Sequence, residues 1–422
     1  MVSIGSDGAE ARPGRGNLAM LAEPKIELPA NVPSDRVVDW NVYAPPHVEN
    51  GFQEAWLALQ APGMPEMVWT PQNGGHWIPT TAELVLAAFE DHERFSNRVY
   101  AVPKEGGEKQ NMIPINIDPP EHHPWRILLN SNLTPREVRK VEGLVRQTAI
   151  ELIEPIRNDG QCDFVEMVSS QFPLRIFTRI VDLAEDRVPR FKWLVEQFTR
   201  PDGTQTMEET FTALKEEIAT IVDVRMGKGG DDMFSKLING EVHGRNLLRE
   251  EAIQMCALVM IAGLDTVQNF LGFAMWHLAT HPQDRARLVA DRSAIPGAVE
   301  ELLRRFPIVM SGREVRMDIE FGGVQLKQGD VLIASTVLHG LDRRLHSSPM
   351  EVDFDRKRSV HMTFGAGPHM CPGANLARSE LRIALEEWLE RIPEFALAPG
   401  GKVAFSGGLT GALESLPLVW PT

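Results

Sequence analysis

The run Arg249–Thr280 constrains this chain more than any other segment: it is long, largely apolar and contains no proline. A stretch of that length without a helix breaker reads as one helix, and a helix apolar on most sides has to be buried among other elements. Asp265, Gln268, Asn269 and His277 interrupt it. No stretch reaches the roughly 18 uninterrupted apolar residues of a membrane span. A long core helix, not a membrane anchor, is the expectation.

Other segments follow the same period. Glu137–Ile156 carries Val141, Leu144, Val145, Ala149, Leu152 and Ile153 at helical spacing among charges. Glu301–Phe306 is helical in composition, and Ala374–Arg391 sets Leu376, Leu381, Leu385, Trp388 and Leu389 on or near one stripe. Strand signals are short: Asp318–Gln325 and Asp330–Ser335 read as a hairpin joined by Lys327-Gln328-Gly329. The fold class is mainly α with small β-sheets. Length alone suggests more than one domain, but no repeat or linker divides the chain. We expect an extension over 1–35, partly disordered, and one large domain over 36–422.

Charge and cysteine count narrow the function classes. With 58 Asp+Glu against 43 Lys+Arg, the formal charge is −15, which argues against a nucleic-acid partner. Three widely spaced cysteines, Cys162, Cys256 and Cys371, make neither a disulfide framework nor a zinc site. With no apolar leader in the first 35 residues, a cytoplasmic enzyme is expected.

The sharpest local feature is Phe364-Gly365-Ala366-Gly367-Pro368-His369-Met370-Cys371-Pro372-Gly373, running into the Ala374 helix. Its glycines permit close backbone approach, and Cys371 lies where a helix N-terminus favours a thiolate. By itself such a loop is more often a turn with a buried cysteine. The spacing Phe-x-x-Gly-x-x-x-Cys-x-Gly, however, resembles the haem-binding signature of the cytochrome P-450 superfamily. Thiolate ligation of haem iron favours O–O cleavage.

Three further elements stand in register. Glu301-Leu302-Leu303-Arg304 resembles the superfamily's Glu-x-x-Arg helix, in which Glu301 and Arg304 pair across one turn. Ala262-Gly263-Leu264-Asp265-Thr266 resembles its distal oxygen-activating helix, where an acid and an alcohol deliver protons. Leu258, Ala262, Asp265, Thr266 and Asn269 fall near one face by period. The plainer alternative has Thr266 bonding back to a carbonyl one turn earlier and Asp265 facing a solvated crevice. His122 and Arg126, spaced i, i+4, resemble the family's propionate-binding pair, and Arg313 and His369 match further propionate contacts.

The resemblance covers roughly Asp35 to the C-terminus and runs closest to the bacterial camphor-hydroxylase branch. Leu264–Val267, Glu300–Phe306, Gly323–Lys327, Val352–Phe354 and Leu416–Trp420 carry it. It implies the triangular, mostly helical P-450 fold as a monomer. Haem b would be seated by His122, Arg126, Arg313, Phe364, His369, Cys371 and Gly373, with Cys371 on the iron. Asp265 and Thr266 would act as the catalytic pair. Electrons would come from an NADH-dependent reductase through a [2Fe–2S] ferredoxin docking at Arg126 and Arg358.

The substrate pocket implied is Ala101, Gln110, Met112, Ile115, Leu258, Ile261, Ala262 and Val309. Gln110 stands where the camphor branch has a ketone-binding tyrosine, and Ala101 and Met112 replace bulkier groups. These changes favour a larger or flatter terpenoid ketone of the ionone type, hydroxylated with O₂. Two readings keep the haem, a peroxide-using or rearranging enzyme and a non-catalytic sensor. A third makes Cys371 a nucleophile activated by His369.

Overall fold

The computed structural model describes residues 27–109, 111–200 and 203–422. The expected extension 1–35 falls mostly outside them. Of its last residues, Asn31 bonds the Asp330 carboxylate at 3.0 Å and Val32 is buried.

Helices dominate, with small sheets among them. Arg249–Thr280 is one unbroken helix, about 48 Å long at 1.5 Å per residue. By length and composition it could cross a membrane, yet 67% of its most apolar window is buried inside the protein. Its first half, through Leu264, joins one core cluster with Phe177, Phe191, Phe198 and Phe234. Its second half, from Val267, joins another with Phe164, Trp388 and Leu418. Asp265 and Thr266 therefore sit at the seam between two apolar cores.

The flanking helices begin where local chemistry dictates. Thr134 caps Pro135–Ile153 by accepting from the Glu137 N–H, with proline in the first turn. The helix thus starts two residues before the apolar pattern does, and a short 3₁₀ turn, Glu154–Ile156, replaces its expected end. Thr206 and Glu209 form a capping box for Met207–Arg225. Ala374–Arg391 packs along Pro135–Ile153, and the expected helix near 301 spans Ile295–Arg305.

The expected hairpin is corrected. Ile319–Phe321 pairs with Val324–Leu326 across Gly322-Gly323, whose φ values of +58° and +75° make the turn inside what reads as one strand. Val331–Ser335 instead runs antiparallel to Met310–Val315 and parallel to His76–Pro79 in a five-stranded sheet. One partner lies across the intervening Ile319–Leu326 hairpin and the other far back near the N-terminal part of the chain, pairings that a local hairpin signal does not reveal.

Candidate active site

The cysteine loop is built by its glycines. Gly365 and Gly367 have φ values of +74° and +65°, and a side chain on Gly367 would stand 2.7 Å from the Phe89 carbonyl oxygen. The loop closes when the Cys371 N–H donates to Phe364 O at 2.8 Å, and Thr363 ties it to Leu303 O at 2.7 Å. Burial pushes the Cys371 thiol up. The N–H groups of Gly373 and Ala374 and the guanidiniums of Arg126 and Arg378 oppose that shift without cancelling it. A coordinated metal ion is what deprotonates such a thiol. Burial, with Asp163 and Asp159 adding to it, pushes Cys162 up to about 12, and burial raises Cys256 too, as expected of core thiols.

Four basic side chains converge beside this loop. The His122 and His369 rings lie 4.3 Å apart, and Arg126 donates to the Met370 carbonyl. Arg313 is buried over the Phe89 ring at 4.5 Å and donates to Ala88 O, Ser311 Oγ and Gly312 O. Burial drives His122 down to about 4 and His369 to about 2. Arg126 repels both, His122 and Arg313 add to the effect at His369. Both ring nitrogens of His122 and Nε2 of His369 are buried without a partner among the described residues. Basic side chains that oppose one another's protonation, with orphaned ring nitrogens beside a buried thiol, fit a group carrying two carboxylates and a metal. Haem answers that description.

On the long helix, the expected single face divides. Ala262 is exposed and Leu258 and Thr266 are half-buried, one turn apart, whereas Asp265 and Asn269 are buried on another side. Thr266 Oγ1 bonds back to Ala262 O at 3.2 Å, the plainer of its two expected contacts. Asp265 faces no solvated crevice: its Oδ1 pairs with Arg200 at 2.6 Å, and its Oδ2 accepts from Thr410. Arg200 is held above its ordinary value, because the pull of Asp265 outweighs the effect of burial.

Glu301 and Arg304 pair at 2.8 Å, both fully buried. Arg304 also donates to the Gly340, Pro349 and Glu351 carbonyls. Arg356, not singled out by the sequence, completes the group with Nε 3.0 Å from Glu301, joined by Ser359 Oγ and the Asp353 N–H. Arg378 stacks over Phe364 at 4.5 Å and pairs with Glu300 at 2.6 Å.

The Cytochrome P450 family model matches residues 186–402. The chain belongs to the cytochrome P450 family. The structure of CYP101J2 shares 42% identity with it, over 94% of this chain and 100% of that one, with a TM-score of 0.87. CYP101C1 is similar at 38% identity, the same coverages and the same TM-score. Among curated relatives, Cytochrome P450(BM-1) of Priestia megaterium is 32% identical over 76% of this chain and 83% of its own. Probable cytochrome P450 127A1 of Sinorhizobium fredii is 29% identical over 93% and 97%. As a cytochrome P450 the chain is a haem-thiolate monooxygenase, with haem b as its cofactor.

Of the expected pocket residues, Ala101, Met112 and Ile261 are buried in one cluster, with Ile115 and Leu258 packed on it. Val309 packs against the other cluster and bridges Thr410 through its backbone. Gln110 lies outside the described residues. Arg358 is exposed, while Arg126 is half-buried beside exposed Ile127. Arg200, Thr410 and Arg356 were not legible as site residues. Each reaches its partner from 55 or more positions away.

Proposed function

We propose that this cytochrome P450 hydroxylates a small apolar terpenoid or norisoprenoid ketone, taking electrons from a [2Fe–2S] ferredoxin and its NADH-dependent reductase. The observation that carries the reading is a buried carboxylate, Asp265, beside a hydroxyl, Thr266, at the seam of two apolar cores. An acid is costly to bury without a task, and Arg200 at 2.6 Å supplies the counter-charge that such burial calls for.

His122, Arg126, Arg313 and His369 would hold the two propionates and Cys371 the iron, with Phe364 and Gly373 against the macrocycle. Bound in this way, haem supplies dioxygen binding and oxidation of an unactivated C–H bond. The chain supplies the rest. Ala101, Met112, Ile115, Leu258, Ile261, Ala262 and Val309 hold an apolar molecule and exclude water. Asp265 Oδ2 takes up a proton once it leaves Thr410, and Thr266 Oγ1 passes one on after releasing Ala262 O. Arg358, with Arg126 nearer the cysteine loop, receives the ferredoxin.

A peroxide-using enzyme needs no such acid–alcohol pair, and a sensor needs no proton route beside its pocket. The pair therefore favours the monooxygenase cycle. A spin-state titration of the ferric enzyme against camphor, ionones and larger terpenoid ketones tests the substrate class. Ionones are expected to shift the spin state at the lowest concentrations. Tight binding of none of these ketones contradicts the reading.

A further inference from the structure

Resting on the reading of Asp265 as a proton-delivering acid, we propose that Thr410 is its positioning residue. Thr410 is a pocket-wall hydroxyl that fixes the orientation of the carboxylate.

Thr410 is buried, and its hydroxyl meets three groups: Asp265 Oδ2, Arg200 Nη1 at 3.4 Å and Asn269 Nδ2 at 3.4 Å. A threonine hydroxyl has one proton to give and two lone pairs to receive with. Arg200 and the Asn269 amide nitrogen only donate. The single proton of Thr410 is therefore committed to Asp265. Both carboxylate oxygens are then engaged, Oδ1 by a charged guanidinium and Oδ2 by a neutral hydroxyl. The hydroxyl bond is the weaker of the two. It sets which oxygen is released when the acid turns to act.

The hydroxyl is held there by a wedged segment. A side chain on Gly407 would stand 2.4 Å from Tyr43 O. One on Gly408 would lie 2.8 Å from Thr199 O, and one on Gly411 would lie 2.3 Å from the Phe52 ring. The Gly411 N–H donates to Ile308 O at 2.8 Å, and Thr410 itself bridges Val309. The segment is thus fixed on one side to the end of the Val188–Thr199 helix and on the other to the pocket wall. Asp265 is thus met by a residue 145 positions away whose backbone also bridges Val309 of the proposed pocket.

The test uses the haem-loaded enzyme with ferredoxin, reductase, NADH and β-ionone, comparing wild type, Thr410→Val, Thr410→Ser, Asp265→Asn and the Thr410→Val/Asp265→Asn double variant. The readouts are the share of NADH ending as hydrogen peroxide, the solvent deuterium effect on NADH oxidation, and the spin-state affinity for β-ionone. Thr410→Val is expected to raise the peroxide share and the deuterium effect several-fold while leaving the affinity little changed. Thr410→Ser is expected to restore both, and Thr410→Val to add nothing in the Asp265→Asn background.

A wild-type response in Thr410→Val overturns the proposal. So does failure of serine to rescue, an additive double variant, or a loss of affinity in step with the peroxide. If Asp265→Asn itself behaves as wild type, the reading of Asp265 fails, and any effect at Thr410 then has another origin. If Asp265→Asn is impaired and Thr410→Val is not, only the assignment of Thr410 fails.

Discussion

Thr266 is tied back to Ala262 in the same helix, and Asp265 is turned to Arg200 and Thr410. Neighbours in sequence, the two side chains point to different partners, and on the proposed proton route each has to leave one. On the proposed proton route, removing the hydroxyl interrupts proton transfer without closing the site to electrons. In Thr266→Ala, NADH consumption is expected to continue while product falls and hydrogen peroxide rises, measured as product and peroxide per NADH. Unchanged product formation contradicts the role of Thr266. The cysteine, its loop glycines and the acid–alcohol pair were legible because their chemistry is carried by adjacent residues. Arg200 and Thr410 were not, because an arginine and a threonine become site residues only when the fold brings them to a buried carboxylate.

The elements hold the proximal side together through buried charge. Burial pulls the Glu301 carboxyl up, but Arg304, the Asp353 N–H and Ser359 outweigh it and hold the carboxyl below its ordinary range. Glu301→Gln leaves Arg304 and Arg356 without a counter-charge. It is expected to cost about 3–5 kcal/mol, read as a lower urea midpoint. Glu300 is similar in sign: burial raises it, and His361 and Arg378 together bring it down to about 2, from 4.5 when unperturbed. A carboxyl that binds its proton less readily when folded stabilises above its unfolded value and loses that contribution as pH falls through the folded one. Glu300→Gln is thus expected to unfold at lower urea than wild type at pH 7, with the gap narrowing as pH falls below 4.5 toward 2. A gap independent of pH contradicts the pairing. The Glu-x-x-Arg spacing was readable on one helix. Arg356 was not, since it comes from a loop, and the Gly322-Gly323 turn was hidden inside an apparent strand.

Across the whole molecule, two apolar cores share one helix, and a chain of net charge −15 carries Arg358, the cation proposed to meet the ferredoxin, on an exposed loop. A local cation on an acidic protein steers encounter over short range, so its effect depends on salt. Arg358→Glu is expected to lower ferredoxin-supported turnover several-fold at low ionic strength, with the loss shrinking as salt rises and β-ionone affinity unchanged. A loss independent of salt contradicts docking at Arg358. The helical class and the long core helix were legible from period and length. The five-stranded sheet was not, because two of its pairings, Leu332 with Trp77 and Phe95 with Val315, join strands more than two hundred residues apart.

The most direct test of the account concerns the bond from Cys371 to iron. The ferrous enzyme under carbon monoxide is measured for wild type and Cys371→His, with haem content determined for each. The account predicts the red-shifted thiolate band in wild type and its complete replacement by a histidine-type band in the variant. A thiolate band that persists in Cys371→His, or wild-type protein that binds no haem, would contradict it.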